Sequence, residues 1–275
     1  MIQTINDVSL GDKVSSCYVN NDSLFGTFDV GLELLDSRGY EVISLEETAI
    51  LRMIGGVNFR DWSKDTYPSV SGRDCITKEA WVYVPEKGFF ITKDSPIIQN
   101  PKEASEAQRY GSEREYLLTF EQIEKALTNA IKVSDFVVPT DKFGESEIAN
   151  YCFGGSAEAY GWFLKEAGIN LMPIDPPRIE NLERPFARQV QFNQLYVPVI
   201  NGMPGYSGLS SSKGDQFLRG IKIEQKNGFL EIMRQRFFPT EFERYTNLPE
   251  KEIESGKNPR PGQGDQNQTC QGIIN

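Results

Sequence analysis

The sequence lacks histidine: none of its 275 residues is of this type. This absence excludes Ser-His-Asp and Cys-His catalytic sites, because the imidazole that serves as their general base is missing. It also excludes His-containing zinc sites, His-ligated haem and the facial triad of two histidines and one carboxylate. Acid–base chemistry in this chain would have to use Asp, Glu, Lys, Tyr or Cys side chains with shifted pKa values.

Cysteine is scarce, and the four cysteines lie far apart, at Cys17, Cys75, Cys152 and Cys270. None of them forms the CxxC pair that is typical of zinc sites and redox motifs, so we expect reduced thiols, most of them buried. Long apolar runs are absent as well, and the first seven residues lack the basic and apolar stretches of a signal peptide. These absences predict a soluble, cytoplasmic protein that does not contact membranes.

Acidic residues outnumber basic ones, 39 to 29, and the formal net charge of −10 is unevenly distributed. Residues 1–175 carry 28 acidic and 16 basic side chains, whereas residues 176–275 carry 11 and 13. The change coincides with Pro176-Pro177, a rigid extended pair that suits a boundary. The predicted regions are an acidic mixed α/β region at 1–175, a mildly basic β-rich region at 176–248 and a tail at 249–275. One domain with two faces fits residues 1–248 equally well.

The acidic region mixes helices and strands. Ser44–Glu47 and Thr119–Gln122 are capping boxes, each of which predicts the start of a helix. The apolar residues of the second helix recur at spacings of three and four and extend it to Ile131. Trp81–Val84 and Phe89–Thr92, rich in β-branched and aromatic residues, predict the two arms of a hairpin.

The basic region is predicted to be β-rich. Val190–Ile200 contains Pro198, which predicts an edge strand or two short strands. Asn201–Gly214 is expected to be a long surface loop, and Asn227-Gly228 favours a hairpin turn. From Pro249 onward few apolar residues remain, so we expect a flexible tail. The predicted fold class is α+β, with several helices in the mixed N-terminal region, a β-rich C-terminal region and this flexible tail.

A candidate binding surface lies in residues 178–236, which hold nine basic and five acidic side chains among interleaved aromatics. Basic side chains neutralise phosphates and aromatic rings stack on exposed bases, so this region could bind an anionic partner. The residues assigned to this role are Lys213, Arg219, Lys222, Arg234 and Arg236. The alternative is a solvated charged face with the aromatic rings in the core.

A candidate catalytic site uses Asp215, Glu224 and Lys226. Metal-dependent phosphodiesterases often place an Asp before a strand that carries Glu-x-Lys: the carboxylates hold Mg²⁺ and the Lys positions the attacking water. Strand alternation puts Lys222, Glu224 and Lys226 on one face, so the geometry is permitted. The same spacing is also that of an exposed hairpin.

These observations favour a non-catalytic binding or assembly protein that uses complementary charged surfaces and no cofactor. Its partner would be a macromolecule, either a protein or a nucleic acid bound through the C-terminal region, or a second copy of the chain. The alternative function is a Mg²⁺-dependent nuclease or phosphodiesterase acting through the carboxylate/Lys site. An enzyme acting on carbohydrates through paired carboxylates also stays open.

Overall fold

The structure is a computed structural model that describes residues 4–6, 14–19, 28–55, 74–110, 115–178, 183–193, 207–211 and 216–222. The chain divides into two compact units, Met1–Met233 and Arg234–Asn275. All of the described residues belong to the first unit. In the described ranges the helices are α1 (Phe28–Asp36), α2 (Leu45–Gly55), α3 (Pro96–Gln99), α4 (Pro101–Tyr110), α5 (Phe120–Thr128), α6 (Glu147–Phe153) and α7 (Ala157–Glu166). Short 3-10 turns occupy Thr140–Lys142 and Gly154–Ser156.

The strands of the same ranges are β1 (Thr4–Asn6), β2 (Val14–Val19), β3 (Tyr40–Val42), β4 (Cys75–Val84), β5 (Gly88–Thr92), β6 (Tyr116–Leu117), β7 (Ala130–Lys132), β8 (Val137–Pro139), β9 (Leu171–Pro173), β10 (Phe186–Phe192), β11 (Leu209–Ser211) and β12 (Gln216–Lys222). Most of them join one mixed sheet, in the order β1–β2–β12–β4–β10–β11. β3 pairs with β12, β6 with β10, and β5 with both β4 and β7, whereas β8 and β9 form a separate two-stranded sheet. Strands from both sides of position 176 therefore share one sheet.

β4 lies at the centre of the main sheet and separates two layers of helices. It pairs antiparallel with β5 and β10 and parallel with β12. Because side chains alternate along a strand, Trp81 faces a core that also holds residues of α2, α6 and α7. Ala80 and Val82 face the other core, with residues of α1, α4 and α5. Helices on both faces of a mixed sheet confirm the α+β class.

The locally encoded elements are confirmed. The Ser44 N–H donates to Glu47 Oε2 at 2.7 Å, and the Glu47 N–H donates to Ser44 Oγ at 3.1 Å, which completes the box at the start of α2. The box of Thr119 and Gln122 begins α5 in the same way. The predicted hairpin is β4–β5, closed at the pair Val84↔Gly88.

Three expectations were wrong in detail. α5 ends at Thr128, and Ile131 belongs to β7, where it pairs with Ile91 of β5. Val190–Ile200 was expected to form an edge strand or two short strands, and the structure describes only residues 190–193 of it. Val190–Phe192 are the end of β10, which is not an edge strand because it has β4 on one side and β6 and β11 on the other. The long surface loop contains β11, and Ser207 and Leu209 within it are fully buried.

Three of the four cysteines, Cys17, Cys75 and Cys152, are buried and unbridged, as expected. Burial raises the pKa of Cys17 to about 12 and raises that of Cys152 as well. Cys270, the Asn227-Gly228 hairpin turn and the predicted tail lie outside the described residues. None of the described helices is both long and apolar enough to cross a membrane.

Candidate binding cleft

Most of the site residues predicted from the sequence lie outside the described part of the chain: Lys213, Asp215, Glu224, Lys226, Arg234 and Arg236. Arg219 and Lys222 are described, and both belong to β12. Arg219 is fully buried, and Lys222 is half-buried at the end of the strand. The anion-binding surface and the Mg²⁺ site stay predictions.

A cleft of about 280 Å³ opens elsewhere, between the 3-10 turn Thr140–Lys142 and α7. One wall is built from the turn and the residues that follow it, and the other wall is built from α7. The lining residues are Thr140, Asp141, Phe143, Gly144, Glu145, Glu158, Trp162 and Lys165. Three carboxylates, one ammonium and one indole thus converge on a single concavity.

The α7 wall follows from helical spacing. Glu158, Trp162 and Lys165 are four and three residues apart, so they project from one face of the helix. The opposite face packs into the core through Tyr160 and Leu164, both fully buried. Burial of one face fixes the helix and presents the other three side chains to the cleft.

The opposing wall is held by hydrogen bonds and by a close approach. The Thr140 N–H donates to Asn170 O and the Thr140 hydroxyl donates to Ile169 O, each at 2.9 Å. Phe143 stacks on Phe153 with ring centroids 5.7 Å apart. Gly161 faces this wall from α7, where its missing side chain leaves room for the turn. The position of Asp141 is therefore set by packing on both sides.

Trp162 is 56% exposed, whereas nine aromatic side chains of the described residues are buried. The ammonium of Lys165 lies 5.7 Å from the centroid of its ring. An indole face attracts cations because of its quadrupole, and carboxylates attract them by charge. Within the described ranges, no three Asp, Glu or Cys side chains are arranged to hold a metal ion. The cleft is suited chemically to an organic cation.

Glu79 and Arg52 are two of the buried ionisable side chains that lie away from the cleft. Glu79 of β4 is 1% exposed, and its Oε2 accepts the Leu45 N–H at 3.1 Å, at the start of α2. Burial raises the pKa of Glu79 to about 7, and this hydrogen bond opposes only part of the effect. A neutral carboxyl is therefore favoured below neutral pH.

Arg52 of α2 is the second, at 2% exposure. Its Nη1 donates to Tyr160 OH at 3.3 Å and to Ser207 Oγ at 3.2 Å. Its Nη2 donates to Asn193 O at 2.6 Å, and the guanidinium carbon lies 3.8 Å from the centroid of the Phe192 ring. Arg52 thus joins α2 to α7, to the end of β10 and to the residues before β11.

The cleft was not predicted from the sequence. One signal was present, because a Glu, a Trp and a Lys at positions 158, 162 and 165 place an exposed aromatic between opposite charges on one helix face. The partner wall gave no such signal. Asp141 and Glu145 reach the site only because Thr140 and Phe143 pack on α7, a tertiary contact that no local pattern encodes.

No protein-family model and no curated protein matches the chain. One similar solved chain is described by the words "Accommodation of massive sequence variation in Nanoarchaeota by the C-type lectin fold". It is 13% identical with a TM-score of 0.49, and the match covers 76% of this chain and 97% of that one. This similarity is too low to transfer a ligand or an activity.

Proposed function

We propose that the protein binds a macromolecular partner and that its cleft receives a cationic side chain of that partner. The observation that carries the proposal is the exposed indole of Trp162 in a concavity with Asp141, Glu145 and Glu158. Carboxylates supply attraction for an ammonium or guanidinium group, and the ring supplies a face on which it can rest. The net charge of −10 favours the approach of a basic partner.

Lys165 supports this assignment from within the site. Its ammonium already lies near the Trp162 ring, so the ring accepts a positive charge in this geometry. Lys165 also lowers the negative charge of the cleft and competes for the ring face. A bound cation would have to displace its ammonium or share the site with it.

The energies indicate why the ligand should be part of a larger molecule. A cation–π contact at an exposed site contributes about 0.5–1 kcal/mol. A screened surface ion pair contributes roughly 0.2–1 kcal/mol. One ring contact and three ion pairs give at most about 4 kcal/mol, which corresponds to a Kd of about 1 mM. A single amine would bind weakly, whereas a polypeptide can add further contacts.

The test uses fluorescein-labelled hexalysine and hexaglutamate in anisotropy titrations with the full chain. We expect hexalysine to bind and hexaglutamate not to bind. The triple variant Asp141→Asn, Glu145→Gln, Glu158→Gln should weaken hexalysine binding at least tenfold, and Trp162→Ala should weaken it about threefold, in line with the cation–π contribution. Lys165→Met should strengthen it.

The matched control is the triple variant Glu106→Gln, Glu121→Gln, Glu124→Gln, which removes the same charge from exposed positions of α4 and α5. Equal losses in the two triple variants would mean that hexalysine responds only to overall charge, and would refute the cleft assignment. Sedimentation velocity without peptide tests a second copy as the partner. That arrangement predicts a dimer that the cleft variants dissociate.

A further inference from the structure

The two-stranded sheet β8–β9 exposes an apolar face. Phe136, Val137 and Leu171 are 53%, 46% and 55% exposed. The register pairs Val137 with Pro173 and Pro139 with Leu171, so these four side chains share the outer face. Val138 and Met172, which pair with each other, point inward and are buried in the core. The outer apolar residues are thus not required to fill the core.

Carboxylates lie at both ends of this face. Residues 134–141 and 170–175, which contain the two strands, carry Asp135, Asp141 and Asp175, and the exposed Lys132 and Lys142 flank the first of these segments. Asp135 and Asp175 lie at one end of the sheet, where the Ile174 N–H donates to Phe136 O at 2.8 Å. Asp141 follows the other end. An apolar face between carboxylates is complementary to an apolar surface between cations.

The face is continuous with the cleft. Thr140 lines the cleft and directly follows Pro139, the last residue of β8. The Thr140 N–H donates to Asn170 O, and Asn170 directly precedes Leu171. Asp141 belongs to the cleft wall and lies two residues after the end of β8. Pro139 and Leu171 of the outer face are thus the chain neighbours of Thr140 and Asn170 at this end of the cleft.

Proline limits how a partner can use this sheet. Pro139 and Pro173 have no N–H to donate, and they lie at the C-terminal ends of β8 and β9. Addition of a further strand at those positions would lack hydrogen bonds from the prolines. Contact through the side chains of the outer face is the better fit.

We infer that the outer face of β8–β9 and the cleft form one docking surface for a polypeptide segment that combines apolar side chains with Lys or Arg. The inference rests on the proposed function, since the cleft would hold the basic side chain. It adds that the affinity comes largely from apolar contacts beside the cleft, with Leu171 and Val137 at their centre.

The test compares two labelled octapeptides that each end in Lys-Lys. One peptide begins with Leu-Ser-Leu and the second begins with Ser-Ser-Ser. Each peptide is also made with its sequence reversed, so that Lys-Lys comes first. We expect the leucine peptide to bind at least fivefold more tightly than the serine peptide in one of the two orders. Leu171→Ser should abolish this gain and leave the serine peptide unaffected. Val137→Thr, which keeps a β-branched residue in the strand, should reduce the gain if Leu171→Ser fails to fold.

Phe120→Ser is the matched control, because Phe120 is 75% exposed on α5 and should not affect either peptide. The inference is overturned if the leucine peptide binds no more tightly than the serine peptide, or if its tighter binding survives in both Leu171→Ser and Val137→Thr. In either case, binding of the serine peptide would leave the proposed function standing. Failure of both peptides to bind overturns both. The wild-type protein is also tested for dimer formation and for binding to phosphatidylcholine–phosphatidylserine vesicles. If it shows either property and Leu171→Ser abolishes it, the face has a different occupant and the inference is overturned.

Discussion

Gly161 lies against the backbone of Thr140: a Cβ added to Gly161 would be 2.5 Å from the Thr140 carbonyl oxygen. The same Cβ would be 2.6 Å from Phe143 Cβ. Both distances are shorter than non-bonded contacts of carbon allow, so one of the two walls of the cleft would have to move. The shape of the cleft therefore depends on the absence of a side chain at this position of α7.

We expect Gly161→Ala to lower stability and weaken hexalysine binding. Alanine in place of a helical glycine ordinarily gains about 1 kcal/mol, whereas overpacking costs about 1–3 kcal/mol. The net loss should be about 1 kcal/mol in urea unfolding followed by circular dichroism. Glu166→Ala, an exposed change in the same helix, should leave both quantities unchanged. A Gly161→Ala protein that equals the wild type in both would contradict the packing described for the cleft.

Glu79 should make stability depend on pH. Burial raises its pKa from an ordinary value of 4.5 to about 7, so the folded chain retains this proton over a pH range in which the unfolded chain has lost it. Its contribution is fully present below about pH 4.5 and is lost as the pH rises through 7. The loss should reach about 3 kcal/mol. No histidine titrates in the same range, which makes the effect easy to isolate.

Glu79→Gln removes the ionisation and keeps an acceptor for the Leu45 N–H. We expect this variant to resemble the wild type at pH 5 and to exceed it in the free energy of urea unfolding at pH 8. Glu121→Gln, on the exposed side of α5, is the control and should follow the wild-type curve. Parallel curves for the wild type and Glu79→Gln would show that the carboxyl is not held as described.

Arg52 should contribute strongly to stability through the hydrogen bonds that its guanidinium group donates. Arg52→Met removes the hydrogen bonds that the guanidinium donates to Tyr160 OH, Ser207 Oγ and Asn193 O, and hydrogen bonds of a charged group contribute about 1.5–3 kcal/mol each. We expect a loss of about 2 kcal/mol or more in urea unfolding. Arg52→Lys should recover less than half of that loss, because an ammonium cannot reproduce the planar fork. Tyr160→Phe, which removes one acceptor, should cost only about 1 kcal/mol. Full stability of Arg52→Met would refute this role.

The buried thiols should be unreactive in the folded state. Cys17, Cys75 and Cys152 are all buried, and a thiol reagent requires an accessible thiolate. In a Cys270→Ser protein, the remaining thiols should react with Ellman's reagent only in denaturant, to a total of three per chain. Rapid reaction of any of them without denaturant would contradict their burial.

The features that sequence analysis found are those encoded within a few residues. Ser44 and Glu47 satisfy each other's backbone groups locally, so the start of α2 could be predicted from four letters. The β4–β5 hairpin is equally local, since its arms are separated only by a short turn. Two oppositely charged regions were also visible, but charge alone did not indicate which side chains converge.

The features that it missed depend on distant partners. Ile131 continues the helical spacing of α5, yet it pairs with Ile91, forty residues away. The residues that neighbour Val190 in the sequence do not indicate that its strand, β10, pairs with β4 on one side and β11 on the other. Leu209 is buried because it joins this sheet, although its Gly- and Ser-rich surroundings are typical of a surface loop. In each case tertiary pairing outweighs the local pattern.

The position of β12 in the sheet has a consequence for how the chain acquires its fold during synthesis. β12 lies between β2 and β4 and pairs with both, so these early strands are joined only once residue 222 has been made. At roughly 5–20 residues per second, about 200 residues take some 10–40 s to translate. During that time β2, and later also β4, lack the strand that pairs with both of them. The nascent chain must therefore keep its N-terminal strands from other pairings until β12 closes the sheet.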